Sequence, residues 1–160
     1  MVASRFYFAH PTTMYDTPVE REIEAAFRRQ FPGAEVENPN QPQHSEGYQR
    51  EGMEYFVHLC DSLDGVFFAP HSEGSVGAGV AREVGSFADR HAPVQYFDPV
   101  RKEFVTADDG LGRFNVLDVD HTRALIREER ALKAAGQSPF DSLEGYGRRV
   151  AGWRPVDALA

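Results

Sequence analysis

The chain runs to 160 residues, the size of one domain with a substantial core, and its 41% hydrophobic and 26% charged content is ordinary for a soluble globular protein. A net charge of −8 argues against a nucleic-acid or anionic-membrane surface, because both repel an acidic protein, while leaving room for a small anion in a local pocket. The single cysteine, Cys60, excludes an internal disulfide and a cysteine-based zinc site, and no run approaches the roughly 20 apolar residues of a membrane span.

The opening "MVASRFYFAHPTT" has one Arg and no long apolar stretch. No signal peptide is expected, and the expected location is the cytoplasm. "RFYFAH" (5–10) reads as a buried strand. Residues 17–33 read as a helix: Thr17 caps, Pro18 suits the first position, Glu20 completes a capping box, and Pro32-Gly33 stops it. Val19, Ile23, Phe27 and Phe31 form its apolar stripe. "AEVEN" (34–38) is a weak second strand, and "PNQPQHSEG" (39–47) reads as a polar loop. Residues 48–65 read as one helix, with Met53, Phe56, Val57, Cys60 and Leu63 on one face and Glu54, His58 and Asp61 on the other. "GVFFAP" (65–70) has the continuous apolar character of a central parallel strand. A glycine-rich loop follows, then a helix to about residue 90, a strand at 92–99, a short strand at 102–108 and a helix at 119–136 capped by Asp118 or Asp120. The tail, 137–160, reads as irregular, with Tyr146 and Trp153 as possible anchors.

Strands alternating with helices imply a single α/β domain: a three-layer sandwich with a mostly parallel central sheet, Rossmann-like or flavodoxin-like, and a core spanning about 5–136. Ligands of such sheets bind beyond the carboxyl ends of the strands. That rule gathers "AHPTTMYD" after the first strand, the loop after the second, and "HSEGSVGAG" after "GVFFA". A glycine-rich turn between strand and helix exposes N–H groups beside the positive end of the helix dipole, which favours an oxyanion. The spacing matches neither the P-loop nor the dinucleotide fingerprint, and a tight turn for close helix packing explains the glycines equally well. Glu83 adds to the case. At about 100° per residue, Val76, Val80, Val84 and Phe87 form the sheet-facing stripe, and Glu83 falls about 60° from Val80, on the margin of that stripe. A merely solvated Glu belongs beside Arg82 on the opposite side.

"FYFAH" with Tyr7, "LDGVFFAP" with Asp64, "SVGAG", "AREVGSFAD" with Glu83 and Gly85, and "APVQYF" occur in this order. The arrangement resembles the nucleoside 2-deoxyribosyltransferase superfamily, which includes nucleoside 5′-monophosphate N-glycosidases, over residues 5–98. The resemblance implies that Glu83 attacks the anomeric carbon while the base leaves, that Tyr7 holds the Glu83 carboxylate, and that a carboxylate on the preceding helix assists the base. The strict offset from Asp64 lands on Phe56, so Glu54, two residues earlier, is the nearest candidate, with Asp61 on the same polar face. The nucleoside transferases carry Asp-Val-Gly where this chain has Ser75-Val76-Gly77. A Ser hydroxyl and free amides accept a 5′-phosphate that a carboxylate would repel.

The expected substrate is therefore a nucleoside or, preferably, a nucleotide. Ser75, Gly74, Gly77 and Gly79 would hold its phosphate, and His10 would line the base pocket with Thr12, Thr13, Tyr15 and Asp16. A non-catalytic nucleotide-binding module and a glycohydrolase acting on a larger substrate such as NAD are the alternatives. The remaining histidines, His44, His58, His71, His91 and His121, show no metal-ligand spacing, so neither metal nor cofactor is expected. The resemblance also implies a homodimer or larger even assembly, joined through the helix at 48–63 or the tail.

Overall fold

The structure, a computed structural model, describes residues 4–107 and 110–151. Five strands, β1 (Arg5–Ala9), β2 (Glu35–Glu37), β3 (Gly65–Phe68), β4 (Val94–Asp98) and β5 (Glu103–Thr106), form one sheet in the order β2-β1-β3-β4-β5. The first four run parallel, and β5 closes the edge antiparallel to β4. Six α-helices complete the described fold: α1 (Pro18–Gln30), α2 (Pro42–Glu51), α3 (Met53–Asp61), α4 (Ala78–Ala88), α5 (Val119–Ala134) and α6 (Leu143–Ala151).

The expected three-layer sandwich follows from side-chain alternation along the strands. Tyr7, Ala9, Val66 and Phe68 point to the face covered by α3 and α4, where they meet Cys60, Val80, Val84 and Phe87. Phe8, Phe67, Phe97 and Phe104 point to the other face, under Ile23 and Phe27 of α1 and Tyr146 and Val150 of α6. Aromatic rings dominate that second core: Phe67 stacks on Phe27 at 4.0 Å between centroids and on Phe8 at 4.6 Å. The central strand β3 is buried throughout, as its apolar run requires.

The connections also place the site. From β1 the chain steps outward to β2 through α1; from β2 it returns past β1 to β3 through α2 and α3. Right-handed crossovers in opposite directions put α1 on one face and α3 and α4 on the other. The direction switches between β1 and β3, the place beyond whose strand ends ligands of such sheets bind.

Three boundaries differ from expectation. Residues 39–47 are not a loop throughout, and 48–65 is not one helix. Gln41 starts α2, Pro42 takes its first position, and Gly52 at φ +66° ends it and restarts the chain as α3. His44, buried in α2, bonds Tyr55 Oη at 2.6 Å and Glu37 Oε1 at 2.5 Å, which fastens this polar segment to β2 and α3. The tail contains α6, whose Tyr146 is fully buried and donates to Pro70 O at 2.7 Å. Tyr146 thus packs on its own domain; Trp153 lies outside the described residues. Finally, Thr17 caps α1 by accepting from Glu20 N, but Glu20 does not reciprocate: its carboxylate accepts from Asp16 N at 3.1 Å and meets His10.

No helix among the described residues is long and apolar enough to cross a membrane.

Candidate active site

Two elements converge at the β1–β3 switch. The apolar run of β1 buries Tyr7 with its ring toward α4, near Phe87. On α4, Val80, Val84 and Phe87 face the sheet, and Glu83 is drawn in beside them to 6% exposure. The Tyr7 hydroxyl donates a short hydrogen bond to Glu83 Oε2. Glu83 Oε1 accepts none among the described residues. Every fully enclosed side-chain N or O among them does have a partner, so Oε1 must reach accessible surface. One oxygen is held and the other is open.

Burial pushes the Glu83 carboxyl up to about 7, and the Tyr7 hydrogen bond pulls against that rise. Burial thus lifts Glu83 well above an ordinary carboxylate, which is fully ionised at neutral pH. The same field acts on its neighbours. Burial and then the Glu83 charge push the phenols of Tyr7 and Tyr15 up, and likewise the Cys60 thiol. Tyr15, half-buried after the 3-10 turn at Thr12–Met14, tilts against His10 and feels the charges of both Glu83 and Glu20.

The glycine loop lies at the start of α4. Gly74 has φ +95°, a conformation that favours glycine. Not all of its amides are available to a ligand. Gly74 N–H donates to His71 O, Val76 N–H to Asn115 O and Ala78 N–H to Thr122 Oγ1. Ser75 gives both its N–H (2.9 Å) and its hydroxyl to Glu73 Oε1. The amides of Gly77, Gly79 and Val80 remain without partners among the described residues, at the positive end of the helix. The expected set from Gly74 to Gly79 thus narrows, and Ser75 is engaged by a carboxylate of its own loop.

Two expected residues stand elsewhere. Glu54 is on an exposed face of α3 in an ion pair with Arg82, which points away from the sheet as its position on α4 dictates. No described hydrogen bond joins it to Glu83, and the same helix face carries Asp61, paired with Arg90. His10 is buried, not a free loop residue: Nδ1 lies 2.9 Å from Phe8 O, Nε2 lies 2.7 Å from Glu20 Oε2, and its ring stacks on Phe8. With both nitrogens engaged it offers a ligand no polar atom. Asp64 lies at the opposite end of the sheet and accepts from Arg5 N–H at 2.8 Å.

Sequence reasoning missed a second buried carboxylate, Glu129 of α5, which binds His71, Ser72 and Thr13 beneath the glycine loop. The signal was present: Glu129 stands four residues after Leu125 and three before Leu132, on the apolar side of α5. Among the described residues no group of three or more His, Cys, Asp or Glu is placed to hold a metal. An open groove of about 520 Å³ between α5 and α6, lined by Ser138, Asp141 and Arg149 among others, contains no residue of this site. It lacks a buried ionisable group and offers less chemistry than the Tyr7–Glu83 pair.

No family model, curated protein or solved structure matches the chain, so the site is read from its own geometry.

Proposed function

We propose that this protein cleaves the N-glycosidic bond of a nucleoside 5′-monophosphate, by hydrolysis or by transfer of the deoxyribosyl group between bases, with Glu83 as nucleophile. The observation that carries the reading is the Glu83 carboxylate: buried on α4 against β1, with one oxygen fixed by Tyr7 and the other without a partner among the described residues. The ordered resemblance of residues 5–98 to the nucleoside 2-deoxyribosyltransferase superfamily supports it.

In this reaction Oε1 forms a bond to the anomeric carbon as the C–N bond breaks. The base leaves with the bonding electrons and takes a proton from solvent. Water, or a second base, then attacks the same carbon and releases the carboxylate. Positive charge on the sugar in both transition states is stabilised by the buried carboxylate, whose attraction is stronger for the exclusion of water. Tyr7 fixes the carboxylate's orientation, and its hydrogen bond favours the ionised form that attacks. Tyr15 borders the sugar and base.

The test is incubation with a panel of nucleosides and their 5′-monophosphates, with free base and sugar phosphate resolved by chromatography. Release of base by the wild type and not by Glu83→Gln supports the proposal. Tight binding of nucleotides with no base released replaces it with a binding module. We further propose a homodimer, with Tyr48 of α2, 49% exposed, as a contact; light scattering giving the mass of one chain at micromolar concentration contradicts that assembly.

A further inference from the structure

We propose that His71, held by Glu129, is a binding residue for the substrate's phosphoryl group, donating its Nε2–H to a phosphoryl oxygen at the start of α4. The proposal rests on the reading above and assigns the phosphate end of the same site.

The His71 ring lies beneath the glycine loop and is 2% exposed. Its Nδ1 is 2.7 Å from Glu129 Oε1. Glu129 accepts further bonds from Thr13 Oγ1 at 2.6 Å, Ser72 Oγ at 2.7 Å and Ser72 N at 3.1 Å. Burial pushes the Glu129 carboxyl up, but the bonds from His71, Thr13 and Ser72 outweigh it and hold the group below the ordinary carboxylate range. An ionised acceptor fixes the proton on Nδ1 and leaves Nε2 to face elsewhere.

Nε2 has no hydrogen-bond partner among the described residues, and no fully enclosed side-chain polar atom there goes unpartnered, so it reaches accessible surface. It is aimed at Gly77, which caps α4: a Cβ on Gly77 would stand 3.1 Å from it. The nitrogen therefore lies against the N-cap of α4, with Thr122 Cγ2 beside it, at the helix start where the amides of Gly77, Gly79 and Val80 have no partner among the described residues. A group binding there meets three donors and must be an acceptor; to bind an acceptor, Nε2 must carry a proton, and Glu129 supplies the compensating charge.

The loop also shows its preference for anions directly. The N–H and hydroxyl of Ser75 converge on the Glu73 carboxylate, so the loop holds an anion of its own chain. A phosphoryl group would displace that exposed side chain. The titratable groups around the ring are few: Glu129 from α5, Glu73 from the loop, and Tyr146 from α6, whose phenol burial keeps protonated. The His121–Asp118 pair lies at the exposed start of α5, next to Thr122.

Calorimetric titration with ribose 5-phosphate, ribose and sulfate tests this. The wild type should bind ribose 5-phosphate at least about tenfold more tightly than ribose, and it should bind sulfate. In His71→Asn the amide replaces Nδ1–H toward Glu129 and Nε2 is gone. Most of the phosphate preference should disappear, and sulfate affinity should fall by about tenfold. Independently of any variant, the wild-type His71 Nε2 resonance must move on saturation with sulfate. Equal affinity for ribose 5-phosphate and ribose, an unmoved resonance, or wild-type sulfate binding in His71→Asn overturns the proposal. Glu83-dependent cleavage of an unphosphorylated nucleoside would survive that failure, so the two readings fall separately.

Discussion

Glu83 and Glu129 are buried carboxylates on neighbouring helices, and their surroundings are opposite. Glu129 accepts from four donors, two of them on Ser72, and its carboxyl is held below the ordinary range. Glu83 accepts from Tyr7 alone, and burial lifts it to about 7. A carboxylate with its donors supplied ties segments together: Glu129 binds the turn after β1, the glycine loop and α5. One left a donor short is costly to the fold, and its open oxygen is what a reacting site needs.

The comparison is broken most severely at Glu129. Glu129→Ala leaves a buried imidazole and three other donors without their acceptor, which should cost about 3–5 kcal/mol in denaturant unfolding. A loss under about 1 kcal/mol would show that Glu129 is no anchor. Glu83→Gln should do the reverse. The folded chain holds the Glu83 proton up to about pH 7, whereas the unfolded chain releases it near the ordinary 4.5. The unfolded state therefore binds fewer protons across that window, and stability falls as pH rises through it. At pH 8 the substitution should raise stability, by about 3 kcal/mol at most, while cutting cleavage by at least about a hundredfold. A variant that is both less stable at pH 8 and fully active would erase the contrast.

Smaller changes sharpen it. Cleavage should rise with pH through about 7 as Glu83 ionises; a rate independent of pH from about 5 to 8 contradicts the assignment. Tyr7→Phe removes the one bond that favours the ionised form. We expect a rate loss of about tenfold, roughly the value of one hydrogen bond to a charged group, with the midpoint of the pH profile moved upward. An unshifted midpoint would show that Tyr7 does not act on Glu83. Ser75→Ala should have the least effect, a few-fold loss in nucleotide affinity, because the Ser75 hydroxyl is already engaged by Glu73.

The sheet was legible because each strand carries its own signal. "RFYFA" and "GVFF" are apolar runs, and the Thr17-Pro18 start of α1 is local chemistry. Position on α4 also led to Glu83. The failures share a cause: segments held by contacts distant in sequence. The polar stretch around His44 becomes helical and buried through bonds to Glu37 and Tyr55. The nine residues of α6 include two glycines, which lowers helix propensity, and it is Tyr146 and Val150 in the core that hold them. Glu20 looks like half of a capping box, yet His10 offers it a stronger partner. Glu54 is the carboxylate nearest to the offset expected of a catalytic acid, but the register of α3 turns it toward Arg82 and solvent.

The most direct measurement is mass spectrometry of the protein treated with a 2-fluorinated arabinosyl nucleotide, whose fluorine slows release of a glycosyl intermediate more than its formation. The account predicts loss of the base and addition of the fluorinated sugar phosphate to the peptide containing Glu83, and no addition in Glu83→Gln. Steady release of base from natural nucleotides by Glu83→Gln at the wild-type rate, with any adduct on another peptide, would contradict it.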